Sequence, residues 1–490
     1  MGTYGTSCLL EAELKNRMSI PWIIEPAPRM TLVLVDGNEH PSVSEATARI
    51  YLSAKALGID LVVLDNHDHW LEGPDFQDWR QAFLPTKLFQ PPHTEMASHI
   101  LASIRRFRGR VDGITTFRDS YKASVAEVAT QLGLLAPEPD AYAIATDKHR
   151  LSVFEAREAY RVSSKGNGTT WASQTPSTWP VMVKPCSGVS SNGCFRVDNA
   201  SDLKNALKKI HHFDISLKGV EYVIEPFCFG PEVFANFVLL DGKILFSEIT
   251  DVFPKTAEQE FPGANRAQTF VEQDVVIPSK LPSAELDLLR DCFHRSLLSL
   301  GIRHGVLHLE GRVKHSRMEY KAKDGVMDLH RRTTALAFQP SPWLIEINPR
   351  PPGSTVPELT QCTYGIDYRG LELLLALGDR QRAEALSQPF HDGPMNTTAM
   401  VVIQADYDHA SCEGIFDSDD ICADLLSRRP DLAKHISKCG CFIKRGERVL
   451  HPSSGSNKWI AYFHVVSPLG RTKTLQLAHE VRQETRYRFR

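Results

Sequence analysis

The stretch WLIEINPRPPG, residues 343–353, sets an apolar run (Trp343, Leu344, Ile345) against Glu346, Asn348 and Arg350 at alternate positions, and the chain then breaks at Pro351-Pro352-Gly353. Alternate residues of a strand share one face, so these three polar groups point the same way from a strand end. Two oxygen ligands beside a fixed guanidinium suit a Mg²⁺ ion bridging phosphate oxygens, with the guanidinium clamping an oxyanion. The competing reading is an edge strand with a solvated polar face. The rest of the chain decides between them by supplying a nucleotide site or failing to.

Length and composition narrow the classes. The 490 residues suffice for about three domains of ~150 residues each. Hydrophobic residues at 42% and charged residues at 23% describe an ordinary globular chain. A net charge of -3 leaves no basic footprint for nucleic acid. No apolar run reaches the ~20 residues of a membrane span, and the acidic N-terminal stretch does not read as a secretory signal. Gly2 with Thr6 is too little to support myristoylation. The ten cysteines are scattered, with Cys186, Cys228, Cys292 and Cys362 in apolar contexts, as expected of reduced thiols in a cytoplasmic protein. Cys439-Gly440-Cys441 is the one close pair, and no second Cys/His pair stands at zinc spacing beside it, which argues against a metal there.

Read in order, the chain alternates strand and helix at first. Residues 30–36, 59–64 and 111–117 read as strands, with helices over 46–57, 93–107 and 120–133, which predicts a parallel sheet in an α/β layer. Ligands usually sit at the carboxyl ends of such strands, so residues 36–40 and 116–119 are candidate substrate loops. The absence of a GxGxxG motif argues against a dinucleotide site. A helix is expected over 141–160, carrying Lys148, and a polar connector over 161–180. VMVKP (181–185) is a strand ending in Lys184. The Gly/Ser loop CSGVSSNGC (186–194) that follows offers the free backbone N–H groups that suit a polyphosphate. VIEPFCFGPE (223–232) supplies another strand, and Asp241-Gly242 turns a hairpin between 234–240 and 243–248. All of this is assigned to one small antiparallel lobe. Residues 254–275 form a loop long enough to be functional. Alternation in 305–313 puts His308, Glu310 and Arg312 on one face, and residues 314–342 read as an inserted hairpin.

Lys148, VMVKP, the Gly/Ser loop, VIEPFCFGPE, HLEGRV (308–313) and IEINPRPPG (345–353), in that order, resemble the ATP-grasp superfamily. More narrowly they resemble the carboxylate–amine ligases that include L-amino-acid (dipeptide) ligases and carnosine-synthase-like enzymes. The resemblance spans roughly residues 30–480. It implies an α/β and α+β multidomain ATP-grasp fold: an extension over 1–29, a pre-ATP-grasp α/β domain over 30–137, a linker helix and small lobe over 138–250, a large lobe over 251–390, and an α+β subdomain over 391–490.

Roles follow from the same resemblance. Lys148 and Lys184 would contact ATP phosphates under a lid containing Ser187, Ser190, Ser191 and Gly193. Glu225, Pro226, Phe227 and Cys228 would form the adenine hinge, and Glu232 would hold the ribose. Glu310, Glu346 and Asn348 would bind Mg²⁺ (or Mn²⁺), and Arg350 would be the catalytic cation. His308, Gly353 and Arg266 would face substrate, and the 248–251 strand end with the 254–275 loop would close over it. A carboxylate and an amine would then be joined through an acyl phosphate, with ADP and phosphate released, in an enzyme whose usual assembly is a homodimer. The alternatives are a carboxylase-like enzyme with another acceptor, for which no biotin-carrier motif is present, and a nucleotide-binding protein without catalysis.

Overall fold

The computed structural model describes residues 29–88, 93–163, 176–188, 191–203, 206, 221–258, 270–334, 336–353, 355–405, 407, 411–451 and 458–490. The N-terminal layer consists of β1 (Met30–Val35), α1 (Glu45–Ala56), β2 (Ile59–Asp65), β3 (Ala82–Pro85), α2 (His93–Ile104), β4 (Gly113–Thr115) and α3 (Asp119–Leu132). Its four strands run in the order β3-β2-β1-β4, all parallel, as the alternation of strand and helix along the chain implies. β4 is shorter than the expected 111–117.

The helix expected over 141–160 is instead two, α4 (Pro139–Ala145) and α5 (Lys148–Phe154). Asp147 caps the second, its side chain accepting from the Arg150 N–H, and Ala156 in a left-handed conformation (φ 55°) ends the helical run. The cap matters because it sets Lys148 in the first turn, where the Lys148 N–H donates to the Cys186 carbonyl at 2.9 Å and ties α5 to the end of the lysine strand.

β5 (Tyr160–Ser163), β6 (Val181–Pro185), β7 (Phe195–Val197) and β8 (Glu221–Pro226) form a four-stranded antiparallel sheet ordered β5-β8-β6-β7. The connector assigned to 161–180 thus contributes a strand at its start, and its residues 164–175 lie outside the described residues. The hairpin expected in this lobe does not belong to it. β9 (Glu232–Leu240) and β10 (Lys243–Val252) lie inside an eight-stranded antiparallel sheet with β11 (Val275–Ile277), β12 (Gly305–Lys314), β15 (Ser341–Asn348), β16 (Thr397–Gln404), β17 (Ile436–Cys441) and β18 (Trp459–Ser467). The order is β15-β12-β9-β10-β11-β16-β18-β17, so the strands of the C-terminal region extend the large sheet rather than forming an appendage. All nine residues of β9 are buried, which only a central strand covered on both faces allows. β13 (Met318–Lys323) and β14 (Val326–Arg331) are the inserted hairpin.

One face of the large sheet is covered by α6 (Ser283–Ser299) with α4 and α5. The other packs on α7 (Val356–Tyr364) and α8 (Tyr368–Ala376). Leu371, Leu373, Leu374 and Leu375 of α8 are at most 2% exposed because the helix lies between the large sheet and the N-terminal layer. Its one acid, Glu372, accepts from Lys122 Nζ (2.8 Å), Thr115 Oγ1 (2.9 Å) and the Val306 N–H (3.0 Å). That shared carboxylate locks β4 and α3 against the start of β12. The remaining helices are α9 (Arg380–Leu386), α10 (Ile421–Arg428), α11 (Pro430–Ala433) and α12 (Arg471–Glu484). No helix among the described residues is long and apolar enough to cross a membrane.

Candidate active site

The centre of the site is the pairing of β12 with β15 at one edge of the large sheet. Their register sets His308 opposite Asn348 and Glu310 opposite Glu346, and a bulge follows at Gly311. A Cβ on Gly311 would meet the Phe293 ring at 2.3 Å and the Trp343 carbonyl oxygen at 2.8 Å, so only glycine lets the strands come this close. Arg157 seals the outer edge. It donates to the Leu344 carbonyl, and its guanidinium lies 5.0 Å from the Trp343 ring centre.

Two opposed carboxylates repel, and basic side chains stand beside each of them. Lys148 Nζ lies 3.0 Å from Glu346 Oε1, and His308 Nε2 lies 3.8 Å from Glu310 Oε1. Burial opposes the charge on Lys148, but Glu346 outweighs it and holds the ammonium above its usual range. Burial likewise pushes the Glu310 carboxyl up, yet the hydrogen bond and charge of His308 leave it below its ordinary value.

Behind His308 runs a buried polar relay. His308 Nδ1 lies 2.8 Å from Asn236 Oδ1, and Asn236 Nδ2 donates to Glu248 Oε1 at 2.7 Å. Glu248 also accepts from Thr250, Thr360 and Tyr368. The 248–251 segment expected to close over substrate is therefore core: Glu248 is 4% exposed, and Thr250 and Asp251 are fully buried. Burial raises the Glu248 carboxyl above its ordinary value despite these donors.

At the end of β6 and β8, Lys184 Nζ is 2.6 Å from Glu225 Oε1, and the other Glu225 oxygen accepts from Ser152. Glu232 is held from two directions, by Lys255 at 3.0 Å and Arg312 at 2.6 Å, and its carboxyl falls to about 2 because these cations overcome its burial. Arg312 also donates to the Cys228 carbonyl (3.1 Å), reaches Glu258 (2.5 Å) and lies 5.1 Å from the Phe227 ring centre. Pro226 ends β8, and the Phe227 N–H donates to the Pro180 carbonyl at 3.0 Å. Ser187 is exposed at the loop start, while Ser191 (φ 53°) and Gly193 (φ 72°) turn the chain back to Cys194. The Cys194 thiol is pushed up to about 11 by burial, with Lys148 and Lys184 acting the other way, so the far end of the loop reaches both lysines. Ser190 and Arg266 lie outside the described residues.

Arg350 is clamped: Nε donates to Asp119 Oδ2 (2.8 Å), Nη2 to Asn348 Oδ1 (3.2 Å) and Nη1 to the Pro351 carbonyl (2.9 Å). Gly353 is exposed beside it, where a Cβ would lie 3.8 Å from Arg350 Nη1. Asp119 opens α3, and its neighbour Arg118 reaches Asp36 at 3.3 Å, so the loop that holds the arginine is tied to the other candidate loop of the N-terminal layer.

Reading by residue type missed three members of the site: Lys255, Glu272 and Asn236. A buried lysine in a polar loop and a glutamate in front of a strand carry no local signal. The Glu272 carboxyl is pushed up to about 7 by burial and by Glu310, Glu232 and Glu346, against Lys255. That crowding of acids is what a divalent cation relieves, and Glu310, Glu346 and Asn348 form an oxygen donor set of the kind Mg²⁺ takes. The residues present fit the ion. A carboxyl raised in the fold is neutral there below about pH 7 and is charged at a penalty above it. Glu272→Gln therefore raises Tm by about 2–4 °C at pH 8 and has little effect at pH 5, as thermal melts at both pH values will read.

An ATP-grasp N-terminal domain model matches residues 51–135, and an ATP-grasp domain model matches residues 177–320. The ATP-grasp enzyme fsqD of Aspergillus fumigatus is 47% identical over 484 residues, covering 98% of this chain and 83% of that protein. The chain belongs to the ATP-grasp enzymes. Among solved ATP-grasp folds, an L-amino acid ligase from Bacillus licheniformis superposes with a TM-score of 0.66 at 17% identity, covering 95% of this chain and 100% of that one. A carboxyaminoimidazole ribonucleotide synthase from Aspergillus clavatus, complexed with ATP, gives 0.57 at 14%, covering 94% and 99%. At these identities both likenesses concern the ATP-grasp fold alone.

Proposed function

We propose that this ATP-grasp enzyme is an ATP-dependent carboxylate–amine ligase that works through an acyl phosphate and takes an amino acid as one substrate. The observation that carries the reading is the in-register pair Glu310 and Glu346, flanked by Lys148 and by an Arg350 that Asp119 and Asn348 hold in place. Lys148 and Lys184 bind the phosphates of ATP, backbone N–H groups around Ser187, Ser191 and Gly193 cover them, Glu225 to Cys228 receive the adenine, and Glu232 receives the ribose. Mg²⁺ held by Glu310, Glu346 and Asn348 would offset the charge of the phosphate oxygens.

The substrate carboxylate attacks the γ-phosphorus in line, and ADP leaves. Arg350 stabilises the charge that builds on the transferred phosphoryl and then on the acyl oxygen. The amine nitrogen attacks the acyl carbon, phosphate departs, and the nitrogen gives up a proton as the amide forms. Water would hydrolyse the acyl phosphate, so the Gly/Ser loop must exclude it.

The test is a screen of amino acids and short carboxylates, singly and in pairs, with Mg²⁺ and ATP. The expected result is ADP and phosphate released in step with an amide product, and only when both substrates are present. Release of AMP and pyrophosphate, or bicarbonate as the obligatory acceptor, would overturn the proposal.

A further inference from the structure

Far from the ATP site, at the opposite end of the large sheet, two thiols and a carboxylate meet, with a third thiol beside them. β17 is the terminal strand, and Cys439 and Cys441 stand on it two residues apart, hence on one face. Between them, Gly440 lies under Tyr462, where a Cβ would approach the ring to 2.9 Å, so no other residue lets the strand lie flat there. α10 packs across the two outer strands and starts at Asp420, bringing Cys422 down onto the thiol face. Cys422 Sγ lies 3.7 Å from Cys441 Sγ, and Cys441 Sγ lies 3.5 Å from Asp420 Oδ1. Cys439 hydrogen-bonds the Cys422 sulfur from the other side.

These separations are those of a tetrahedral metal–thiolate centre. With Zn–S near 2.3 Å, tetrahedral geometry puts two sulfurs about 3.8 Å apart, and a carboxylate oxygen at about 2.0 Å from the ion puts S···O at about 3.5 Å. The ligand atoms of Asp420, Cys422 and Cys441 all lie within 4.8 Å of one another. N-capping explains why Asp420 Oδ1 accepts from the N–H groups of Cys422 and Ala423, but it does not explain why two thiols converge beside that carboxylate. The strand pairing and the helix cap build a three-donor set from two segments, neither of which reads as a zinc motif alone.

We propose that Cys422, Cys441 and Asp420 bind a Zn²⁺ ion that fastens α10 to the outer strand of the large sheet. Thiolate-rich donors select zinc over the hard Mg²⁺ of the ATP site. The ligands come from the cap of α10 and from β17, so the ion joins these two elements.

The test uses the full chain, purified under reducing conditions without chelator. Elemental analysis is expected to find about one zinc per chain. Exchange for Co²⁺ is expected to give the ligand-field spectrum of a tetrahedral thiolate site. Cys441→Ser, at the exposed side of the cluster, should weaken Zn²⁺ binding at least tenfold with the fold retained by circular dichroism. Asp420→Asn, which keeps a capping side chain but loses the anionic donor, should weaken it by a smaller factor. Cys186→Ser should leave it unchanged. A stoichiometry below about 0.1 with no uptake of added Zn²⁺ or Co²⁺, metal retained in Cys441→Ser, or a Cys422–Cys441 disulfide with no metal bound would each overturn the proposal.

Discussion

With Arg350 replaced by alanine, kcat falls by about 10²–10³-fold while the Kd for ATP changes by less than about threefold. The size follows from the work assigned to the guanidinium. It meets charge that exists fully only on the transferred phosphoryl and acyl oxygen, so its loss raises the barrier and leaves nucleotide affinity nearly intact. Its aim is fixed by three acceptors, Asp119 Oδ2, Asn348 Oδ1 and the Pro351 carbonyl. Asp119→Asn, which keeps one acceptor oxygen but removes the charge, should therefore show a smaller fall in kcat than Arg350→Ala. Calorimetric ATP titration and phosphate release from one preparation of each variant check both statements. An Arg350→Ala enzyme within twofold of the parent rate would remove the arginine from the chemistry.

Lys184→Met has the largest expected effect on stability. Glu225 is 3% exposed and Lys184 4%, and removing the lysine leaves a buried carboxylate supported only by Ser152 and the more distant Arg157 (3.9 Å). Breaking a buried pair from one side costs about 3 kcal/mol or more, and the KM for ATP rises as well. The pH dependence has a definite sign. In the parent, burial pushes the Glu225 carboxyl up, but Lys184 and Arg157 outweigh it and hold it below its ordinary value, so its contribution is present at neutral pH and lost as pH falls through the folded value. In the variant burial prevails, the carboxyl rises, and the deficit relative to the parent grows from pH 5 to pH 8. The double variant Lys184→Met/Glu225→Leu should regain most of the stability without regaining ATP binding. Denaturant melts at the two pH values, read beside nucleotide titrations, separate these effects.

What could be read locally was read well. The parallel layer follows from apolar runs separated by amphipathic helices, and the β9–β10 hairpin follows from alternation around Asp241-Gly242, where both residues take positive φ (52° and 77°). The sheet to which that hairpin belongs could not be read, because alternation tells a strand which face to bury and is silent about its neighbour. The hairpin therefore moved from the small lobe to the centre of the large sheet, and with it Glu248 moved from a substrate-closing segment into the core. Similarly, a continuous helical pattern over 141–160 hides the Asp147 cap, which replaces one long helix with two and points Lys148 at Glu346.

The sequence by itself determined that Glu346 and Asn348 share one face of their strand, that His308, Glu310 and Arg312 share one face of theirs, that Lys184 ends a strand before a Gly/Ser loop, and hence the family. Those are consequences of strand period and chain order. Tertiary structure alone decided that Glu310 stands opposite Glu346, that Lys148 reaches Glu346 across 198 residues of chain, and that Asp119 holds Arg350 across 231. It alone brought Cys422 and Asp420 to the Cys439-Gly440-Cys441 strand. Register between strands and the docking of a helix cap are set by the whole packed core, and no local pattern encodes them.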